Sequence, residues 1–304
     1  MFYTIGEALI DFLPEGNGYI PVTGGAPLNV AACIAKLKGS SHFIGMVGND
    51  LFGKRIKSDL EKSGVGTEYL YFTNKANTAL AFVSLDKTGE REFSFYRNPS
   101  ADMYLEAEQV KIIPFKKGDV LHFCSVDLID MPVKYATKQA ISCCKEAGGI
   151  ISFDPNIRLS LWDDHEEYKN TILEFLPYAD IVKLSEDEIP FILGDISKEE
   201  AAKELLKTAK EVIITLGYRG SLLYTREKTL KQKPLQIRCV DSTGAGDTFI
   251  GTYLRYRAIS SLENALKLAS IASAIVCTKK GVMSALPTEE EVFSVLLKDE
   301  FNVV

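Results

Sequence analysis

Short apolar segments alternate with segments of helical length in the second half of the chain, and this alternation constrains the fold more than any other feature of the sequence. Four apolar segments predict strands, at residues 120–123, 149–153, 179–183 and 211–215. Continuous apolar runs are typical of strands that are buried on both faces, and helical connections join such strands in parallel. The sequence therefore predicts an α/β fold in which helices cover both faces of a mostly parallel sheet.

One stretch, residues 241–249, joins a glycine turn to the start of a predicted helix. It reads Asp-Ser-Thr-Gly-Ala-Gly-Asp-Thr-Phe and follows an apolar-polar alternation that predicts a strand. Gly244 and Gly246 allow a ligand to approach the backbone closely, and the N–H groups and dipole of a helix N-terminus favour an anion. Asp247 is either an ordinary helix-start residue or a base that takes a proton from an attacking hydroxyl beside a bound phosphate. Together these residues predict a small-molecule kinase.

A second glycine motif lies near the N-terminus. Gly24 and Gly25 precede Pro27 and Asn29, just before a helix predicted over residues 30–37. Proline suits the first turn of a helix, and paired glycines suit close approach to a ligand. A plain strand-to-helix turn explains Gly24 but not an asparagine at the same end of the helix.

Several polar residues follow predicted strands, including a strand expected over residues 2–9. The carboxyl ends of parallel strands meet at one edge of the sheet, where open α/β folds bind their ligands. A solvated surface does not explain so many polar residues at one edge. The residues expected there are Asp11, Asp154, Asn156, Arg158, Lys183, Glu188, Thr215, Gly217 and the loop at Asp241.

The segment from residue 69 to 96 differs in character from the rest of the chain. Strands predicted at 78–85 and 92–96 are joined by residues 86–89, Asp-Lys-Thr-Gly, which is a hairpin signature. With a strand near Tyr19, they predict a small β-element that is either a lid over a pocket or an ordinary edge hairpin. Arg97 and Asn98 end the element with polar groups that could hold a substrate.

The overall composition excludes several classes of function. The chain has 304 residues, 46% of them hydrophobic and 25% charged, which are ordinary values for a globular protein. The formal charge of −6 argues against nucleic acid or an anionic membrane as a partner. No apolar run reaches membrane-spanning length and no signal peptide is present, so we expect a cytoplasmic protein. Six cysteines without a Cys-x-x-Cys pair argue against a zinc site and predict free, buried thiols.

Two motifs make the chain resemble the ribokinase-like (PfkB) family of carbohydrate kinases over essentially its full length. The first is Gly-Gly-Ala-Pro-x-Asn-Val-Ala at 24–31, followed by Gly-x-Val-Gly-x-Asp-x-x-Gly at 45–53; the second is the stretch at 241–249. The first motif, with Phe-Asp-Pro-Asn-Ile-Arg-x-x-Leu-Trp at 153–162, is most similar to the fructokinase branch. The resemblance implies one domain over residues 1–304 with a three-layer, doubly wound α/β fold. It also implies a β-sheet lid from segments about 12–22 and 69–98.

The resemblance implies an ATP-dependent sugar kinase that converts D-fructose and ATP to D-fructose 6-phosphate and ADP by in-line transfer. Asp247 would be the catalytic base, and Gly244, Ala245 and Gly246 would form an anion hole for the transferring phosphoryl group. The implied substrate-binding residues are Asp11, Gly24, Gly25, Asn29, Arg97, Asn98, Asn156, Arg158 and Asp247. The implied ATP-binding residues are Lys183, Glu188, Thr215, Gly217, Gly220, Gly244 and Gly246.

The resemblance also implies two metal ions, and the edges of the predicted lid indicate a partner subunit. Magnesium would be bound through water at Glu188, although Ser185 stands where many members of the family have asparagine. Potassium would be bound by oxygen atoms of Asp241, Thr243, Val276, Lys279 and Gly281. The exposed β-edges of the lid predict a homodimer that pairs them.

Two alternatives to fructose phosphorylation remain open. The first is another sugar, such as ribose or 2-keto-3-deoxygluconate. Arg97 and Arg158 could bind the carboxylate of the keto acid. The second is a non-catalytic regulator that binds sugar or nucleotide. Individual residues also have structural explanations: Asp11 as a turn residue, Arg97 as an exposed hairpin arginine, and Arg158 as a partner of Asp154 or Asp163.

Overall fold

The computed structural model describes residues 1–85 and 91–301, so the predicted turn at 86–89 lies outside the described residues. The strands are β1 (Phe2–Ile5), β2 (Leu9–Glu15), β3 (Gly18–Gly24), β4 (Ser41–Gly48), β5 (Gly66–Thr73), β6 (Ala79–Leu85), β7 (Arg91–Tyr96), β8 (Val120–Cys124), β9 (Ile150–Asp154), β10 (Ile181–Ser185), β11 (Glu211–Thr215), β12 (Ser221–Tyr224) and β13 (Thr229–Gln232). The α-helices are α1 (Ala26–Lys36), α2 (Leu51–Lys62), α3 (Ala107–Val110), α4 (Pro132–Glu146), α5 (His165–Phe175), α6 (Ile189–Leu193), α7 (Lys198–Leu205), α8 (Ala245–Arg257), α9 (Leu262–Val276) and α10 (Glu289–Phe301).

Within the described residues, the large sheet has nine strands in the order β13-β12-β11-β10-β9-β8-β1-β4-β5. The strands from β11 to β5 pair in parallel, and β12 and β13 extend the sheet in antiparallel orientation. The central strands are rich in apolar and β-branched residues and are buried almost throughout. The structure thus confirms the predicted mostly parallel sheet.

Helices pack on both faces of this sheet and create two hydrophobic cores. One core contains side chains of α4, α5 and α7 and the stacked rings of Phe123 and Phe153, whose centroids are 4.4 Å apart. The other core contains α1, α8 and α9, with Tyr253 fully buried among them. The fold therefore has the three layers expected. No helix in the described ranges is both long and apolar enough to span a membrane.

A second, four-stranded sheet has the order β3-β2-β6-β7 and corresponds to the small β-element predicted from the sequence. Two predicted boundaries were wrong. The strand expected over residues 2–9 is broken, because Gly6 has φ of 146° and Pro27 packs directly over its Cα atom. Asp11 consequently lies inside the small sheet, paired with Val22, rather than at the end of a central strand. Residues 69–73 belong to β5 of the large sheet, so the second segment of the small sheet begins at β6.

Candidate active site

Asp247 lies in the first turn of α8 and directly contacts α1. The helix begins after Gly244, which has φ of 74°, and the Asp247 side chain is almost completely buried. Asn29 Nδ2 donates a hydrogen bond of 2.8 Å to Asp247 Oδ2. Burial raises the pKa of Asp247, while the Asn29 hydrogen bond and the charges of Lys183 and Arg158 oppose that rise. A carboxylate with a raised pKa at the start of a helix is suited to accept a proton.

A buried ammonium group lies beside the glycine turn that precedes Asp247. Lys183 Nζ would be 3.0 Å from a Cβ atom at Gly246, so only glycine leaves this space open without a shift of the lysine. The ammonium donates to Asp154 Oδ2 at 2.8 Å, and both side chains are buried. Burial alone would lower the pKa of Lys183, but the carboxylates of Asp154 and Glu188 raise it above its ordinary value. Lys183 is therefore a permanent positive charge next to the predicted anion hole.

Asp154 is the counter-ion of this lysine and lies at the end of β9. Burial raises the pKa of Asp154 to about 7, although the Lys183 ammonium acts in the opposite direction. Its Oδ1 atom is buried and has no hydrogen-bond partner among the described residues. The alternative in which Arg158 pairs with Asp154 is thus disfavoured, since Lys183 occupies that position.

The loop before α8 is tied to the segment that follows α9. The carboxylate of Asp241 accepts hydrogen bonds from Thr243 N at 2.9 Å and from Gly281 N at 3.1 Å. Ser273 Oγ donates to the Ala245 carbonyl at 3.0 Å, which holds the glycine turn against α9. The structure therefore brings together the two segments that carry the predicted potassium ligands Asp241, Thr243, Val276, Lys279 and Gly281.

Asp11 and the paired glycines lie together at the junction of the small sheet and α1. A Cβ atom at Gly24 would lie 2.2 Å from Asp11 Oδ2, so the carboxylate rests directly on the glycine. Gly25 precedes the first residue of α1, and Ala26 N donates to Glu7 Oε1 at 2.8 Å. Glu7 thus holds the end of the helix that carries Asn29.

Glu7 was missed in the sequence, although it follows β1 as directly as the other candidates follow their strands. Its side chain is buried, its Oε2 atom has no hydrogen-bond partner in the part of the chain that the structure describes, and burial raises its pKa to about 7. The signal that would have found it is its position immediately after Gly6, where the strand ends.

The position of Arg97 in the structure differs from the prediction, which placed this residue at the exposed end of a hairpin as a substrate ligand. The side chain is buried, and its guanidinium donates to Asp102, at 3.1 Å from Nε, and to Asp127. No sequence pattern indicated these two partners, which follow Arg97 in the chain by 5 and 30 residues. Arg97 therefore anchors the end of β7 to the body of the protein, whereas the neighbouring Asn98 is exposed.

Asn156 and Arg158 lie in the segment that directly follows β9. Asn156 has φ of 48°, and Arg158 is exposed, with its Nη1 atom donating to the Ile157 carbonyl at 2.9 Å. The positive charge of Arg158 opposes the rise that burial causes in the pKa of Asp247.

The predicted nucleotide residues lie at the ends of β10 and β11. Glu188 accepts from Ser185 N at 2.6 Å and from Ile157 N at 2.8 Å, so its carboxylate joins two loops of this edge. Thr215 Oγ1 donates to the Leu184 carbonyl at 3.3 Å. Gly217 and Gly220 bound the short turn between β11 and β12. These residues form one end of the sheet edge at which the strands end. Lys183 belongs to β10 and its ammonium group lies beside Gly246, so it links this end to the glycine turn before α8.

Two places at this edge offer oxygen ligands for a metal ion, Glu188 and the Asp241 segments. Over the described ranges, no group of three or more histidine, cysteine, aspartate or glutamate side chains could hold a metal ion. The Glu188 carboxylate is fixed by backbone donors and fits a water-mediated magnesium ion, while the Asp241 segments offer carboxylate and carbonyl oxygens that fit potassium. When bound, magnesium would neutralise phosphate charge.

Comparisons with known proteins give a consistent result. The model of the pfkB family carbohydrate kinase matches residues 14–289. A probable fructokinase-4 of Arabidopsis thaliana is 40% identical, with 97% of this chain and 96% of the relative covered. A crystal structure of fructokinase from Vibrio cholerae O395 in fructose, ADP and calcium ion bound form has a TM-score of 0.90 and 36% identity, covering 96% of this chain and 97% of the other. Aminoimidazole riboside kinase from Salmonella enterica, complexed with aminoimidazole riboside and an ATP analog, has a TM-score of 0.88 and 30% identity, covering 97% and 99%.

Proposed function

The chain belongs to the pfkB family of carbohydrate kinases, and from this premise we propose that it is a fructokinase, which transfers the γ-phosphoryl group of ATP to D-fructose. The observation that carries the proposal is the contact of Asn29 with Asp247 beside Lys183, in a chain 40% identical to a probable fructokinase. Asp247 supplies a proton acceptor in the first turn of α8, and the Lys183 ammonium supplies a buried positive charge beside Gly246 of the same turn. Both are needed when a hydroxyl attacks a phosphoryl group.

Each group at this site has a distinct role in the transfer. Asp247 takes the proton from the primary hydroxyl of the sugar as the hydroxyl attacks in line. The N–H groups of Gly244, Ala245 and Gly246 stabilise the negative charge that develops on the transferring group. Lys183 adds a fixed positive charge beside them, and Arg158 balances charge from the exposed side.

Asn29 also has an atom available for the sugar. Its Nδ2 atom donates to Asp247, while its buried Oδ1 atom has no hydrogen-bond partner within residues 1–85 and 91–301. A buried acceptor without a partner is costly, and a sugar hydroxyl would satisfy it. Asp11, held against Gly24, would accept from further hydroxyls. Asn29 would thus orient both the base, Asp247, and the sugar hydroxyl that Asp247 deprotonates.

ATP would lie along the edge formed by Glu188, Thr215, Gly217 and Gly220, with its terminal phosphates toward Lys183. Magnesium would bind the phosphates and, through water, Glu188. Potassium would be bound between Asp241 and the carbonyls of the 276–281 segment, where it would strengthen the positive potential of the anion hole. The hydrogen bond from Gly281 N to Asp241 supports this placement because it holds the two segments together.

The small sheet would act as a lid and as a dimer surface in a cytoplasmic enzyme. Tyr19 and Tyr96 are 50% and 65% exposed and pack edge-on against Phe82, with each ring centroid 5.4 Å from that of Phe82. Exposed aromatic rings on a sheet favour burial against a partner. Sedimentation that detects only monomer at working concentrations would exclude the homodimer.

A riboside or ribose acceptor is the second candidate, because the structure of an aminoimidazole riboside kinase shares this fold at a TM-score of 0.88. A keto acid such as 2-keto-3-deoxygluconate is less well supported. Its carboxylate would need cations, and Arg97 is already held by Asp102 and Asp127. A non-catalytic regulator is disfavoured because Asp247, Gly244 and Gly246 are all in place.

The test is ADP release in the presence of magnesium-ATP and potassium, with fructose, ribose, glucose, tagatose and 2-keto-3-deoxygluconate as separate acceptors. We expect fructose to exceed the other sugars in kcat/KM by more than about tenfold, the value of a single well-made hydrogen bond. Preference for ribose would replace fructose with the second candidate. Absence of turnover in a protein that still binds ATP would favour the regulator.

A further inference from the structure

The segment of residues 155–158, which follows β9, is held at both ends by a hydroxyl bridge formed by Tyr168 and Ser125. Tyr168 of α5 and Ser125, just after β8, are fully buried, and their hydroxyl oxygens are 2.6 Å apart. Arg158 N donates to the Tyr168 hydroxyl at 3.2 Å, and Ser125 Oγ donates to the Pro155 carbonyl. Because each hydroxyl group has one proton to donate, the Tyr168 hydroxyl donates to Ser125 Oγ. The bridge thus runs in one direction, from the N–H of Arg158 to the carbonyl of Pro155.

The hydroxyl bridge closes around a backbone conformation that is rare outside glycine. Asn156 lies between its two ends and has φ of 48°, in the left-handed region. Ile157 N donates to Glu188 Oε1 at 2.8 Å, so the segment is also tied to the loop after β10. The Tyr168 ring stacks on the Trp162 ring, with centroids 4.5 Å apart and planes at 7°, which fixes the position of the hydroxyl. The conformation of the segment is therefore imposed by contacts from outside it.

The bridged segment lies next to the site proposed for phosphoryl transfer. β9 ends at Asp154, which pairs with Lys183, and the Lys183 ammonium lies beside the glycine turn. The segment then carries Arg158, whose side chain is exposed. A long arginine side chain has many rotamers, so a fixed backbone limits the positions that its guanidinium can reach.

We propose that Tyr168 is a positioning residue for phosphoryl transfer, whose hydroxyl fixes the backbone of Arg158 so that the guanidinium balances the charge of the transferring group. The inference rests on the proposed function, because Tyr168 acts on the reaction only through Arg158. Burial raises the pKa of Tyr168, so its hydroxyl stays neutral and adds no charge of its own. An interaction that is made in the transition state changes kcat and leaves KM nearly unchanged.

The first test compares kcat for the native chain, Tyr168→Phe, Arg158→Ala and the double variant, in ADP release with the acceptor that the native chain phosphorylates fastest. Phenylalanine keeps the ring stacked on Trp162 and removes only the hydroxyl. Tyr168→Phe should lower kcat about tenfold, the value of one hydrogen bond, and should change KM for either substrate by less than about twofold. In the Arg158→Ala background the same substitution should change kcat by less than about twofold, because the guanidinium that it positions is absent.

A tenfold loss of kcat in both backgrounds would overturn the proposal, because Tyr168 would then act on the fold and not through Arg158. Tyr71→Phe is the matched control, since the Tyr71 hydroxyl also donates to a backbone carbonyl, that of Gln109 at 2.8 Å, but belongs to β5. The control should keep the native kcat and KM. An equal loss of kcat in Tyr71→Phe would also overturn the proposal.

Hydrogen exchange followed by mass spectrometry tests the hydroxyl bridge without turnover. The peptide that contains residues 155–158 should exchange about tenfold faster in Tyr168→Phe, because the Arg158 N–H loses its acceptor, whereas peptides from β8 should be unchanged. Equal exchange in both proteins would overturn the proposal. Native activity with an unchanged kcat in Tyr168→Phe would refute this inference and leave the kinase in place. A native chain that phosphorylates no acceptor would refute the proposed function, and the role of Tyr168 in it, even if exchange is faster in the variant.

Discussion

Replacement of Asn29 by alanine tests whether this residue sets the protonation state of the base. Asn29 Nδ2 donates to Asp247 Oδ2 at 2.8 Å in a buried site, where a hydrogen bond to a charged group contributes about 1.5–3 kcal/mol. Without this bond the ionised carboxylate is less stable, so the pKa of Asp247 rises and the acidic limb of the kcat/KM profile moves to higher pH. The same energy corresponds to a loss of about 10- to 100-fold in kcat/KM on the acidic side, and to a smaller loss at alkaline pH.

The assay is ADP release with fructose as the varied substrate over a series of buffers, for the native chain and for the Asn29→Ala variant. Asn264→Ala, at an exposed position in α9, is the matched control and should reproduce the native profile. A variant whose kcat/KM is lower by the same factor at every pH would refute the reasoning. In that case Asn29 would contact only the sugar and would leave the base unaffected.

Three further substitutions follow from the same geometry. Lys183→Met leaves the buried Asp154 carboxylate without its counter-ion. The variant should lose about 3 kcal/mol of unfolding free energy in urea titrations and most of its turnover. Unchanged stability would contradict the buried pair. Gly24→Ala places a Cβ atom 2.2 Å from Asp11 Oδ2 and should raise KM for fructose about tenfold with little change in kcat, whereas an unchanged KM would remove Asp11 from the sugar site. The pKa of Glu7 is raised from 4.5 to about 7 in the folded protein, so ionisation of this carboxyl group destabilises the folded state. The destabilisation is absent at low pH and grows as the pH rises from 4.5 to about 7. Glu7→Gln should therefore stabilise the protein by up to the order of 3 kcal/mol near pH 8 and by much less near pH 5, as followed by thermal unfolding; an equal effect at both pH values would contradict the raised pKa.

The parallel sheet and the glycine turn at α8 were predictable because their signals are local. Buried strands such as β8 and β9 are continuous apolar runs, and the turn before Asp247 contains two glycines within three residues. The same locality explains the wrong strand over residues 2–9. Apart from Thr4, Gly6 and Glu7 the run is apolar and resembles one continuous strand, whereas in the structure β1 ends before Gly6, over which Pro27 of α1 packs.

Parts of the site could not be predicted because they depend on contacts between distant segments. Arg97 has the appearance of an exposed hairpin residue in sequence, yet it is held in the interior by the nearby Asp102 and by Asp127, which is 30 residues further along the chain. The pairing of Lys183 with Asp154 requires β9 and β10 to be neighbours in the sheet, which the sequence order alone does not fix. Long-range ion pairs of this kind leave no periodic pattern in the chain.

The most direct test of the proposed mechanism is turnover by the Asp247→Asn variant with fructose and magnesium-ATP. Asparagine preserves the size of the side chain and can still pair with Asn29, but it cannot accept the proton of the attacking hydroxyl. We predict that kcat falls by about 10²- to 10⁴-fold, the usual contribution of a general base, while thermal stability and fructose binding measured by calorimetry are retained. Turnover close to that of the native chain would show that Asp247 is not the base and would contradict the proposed mechanism.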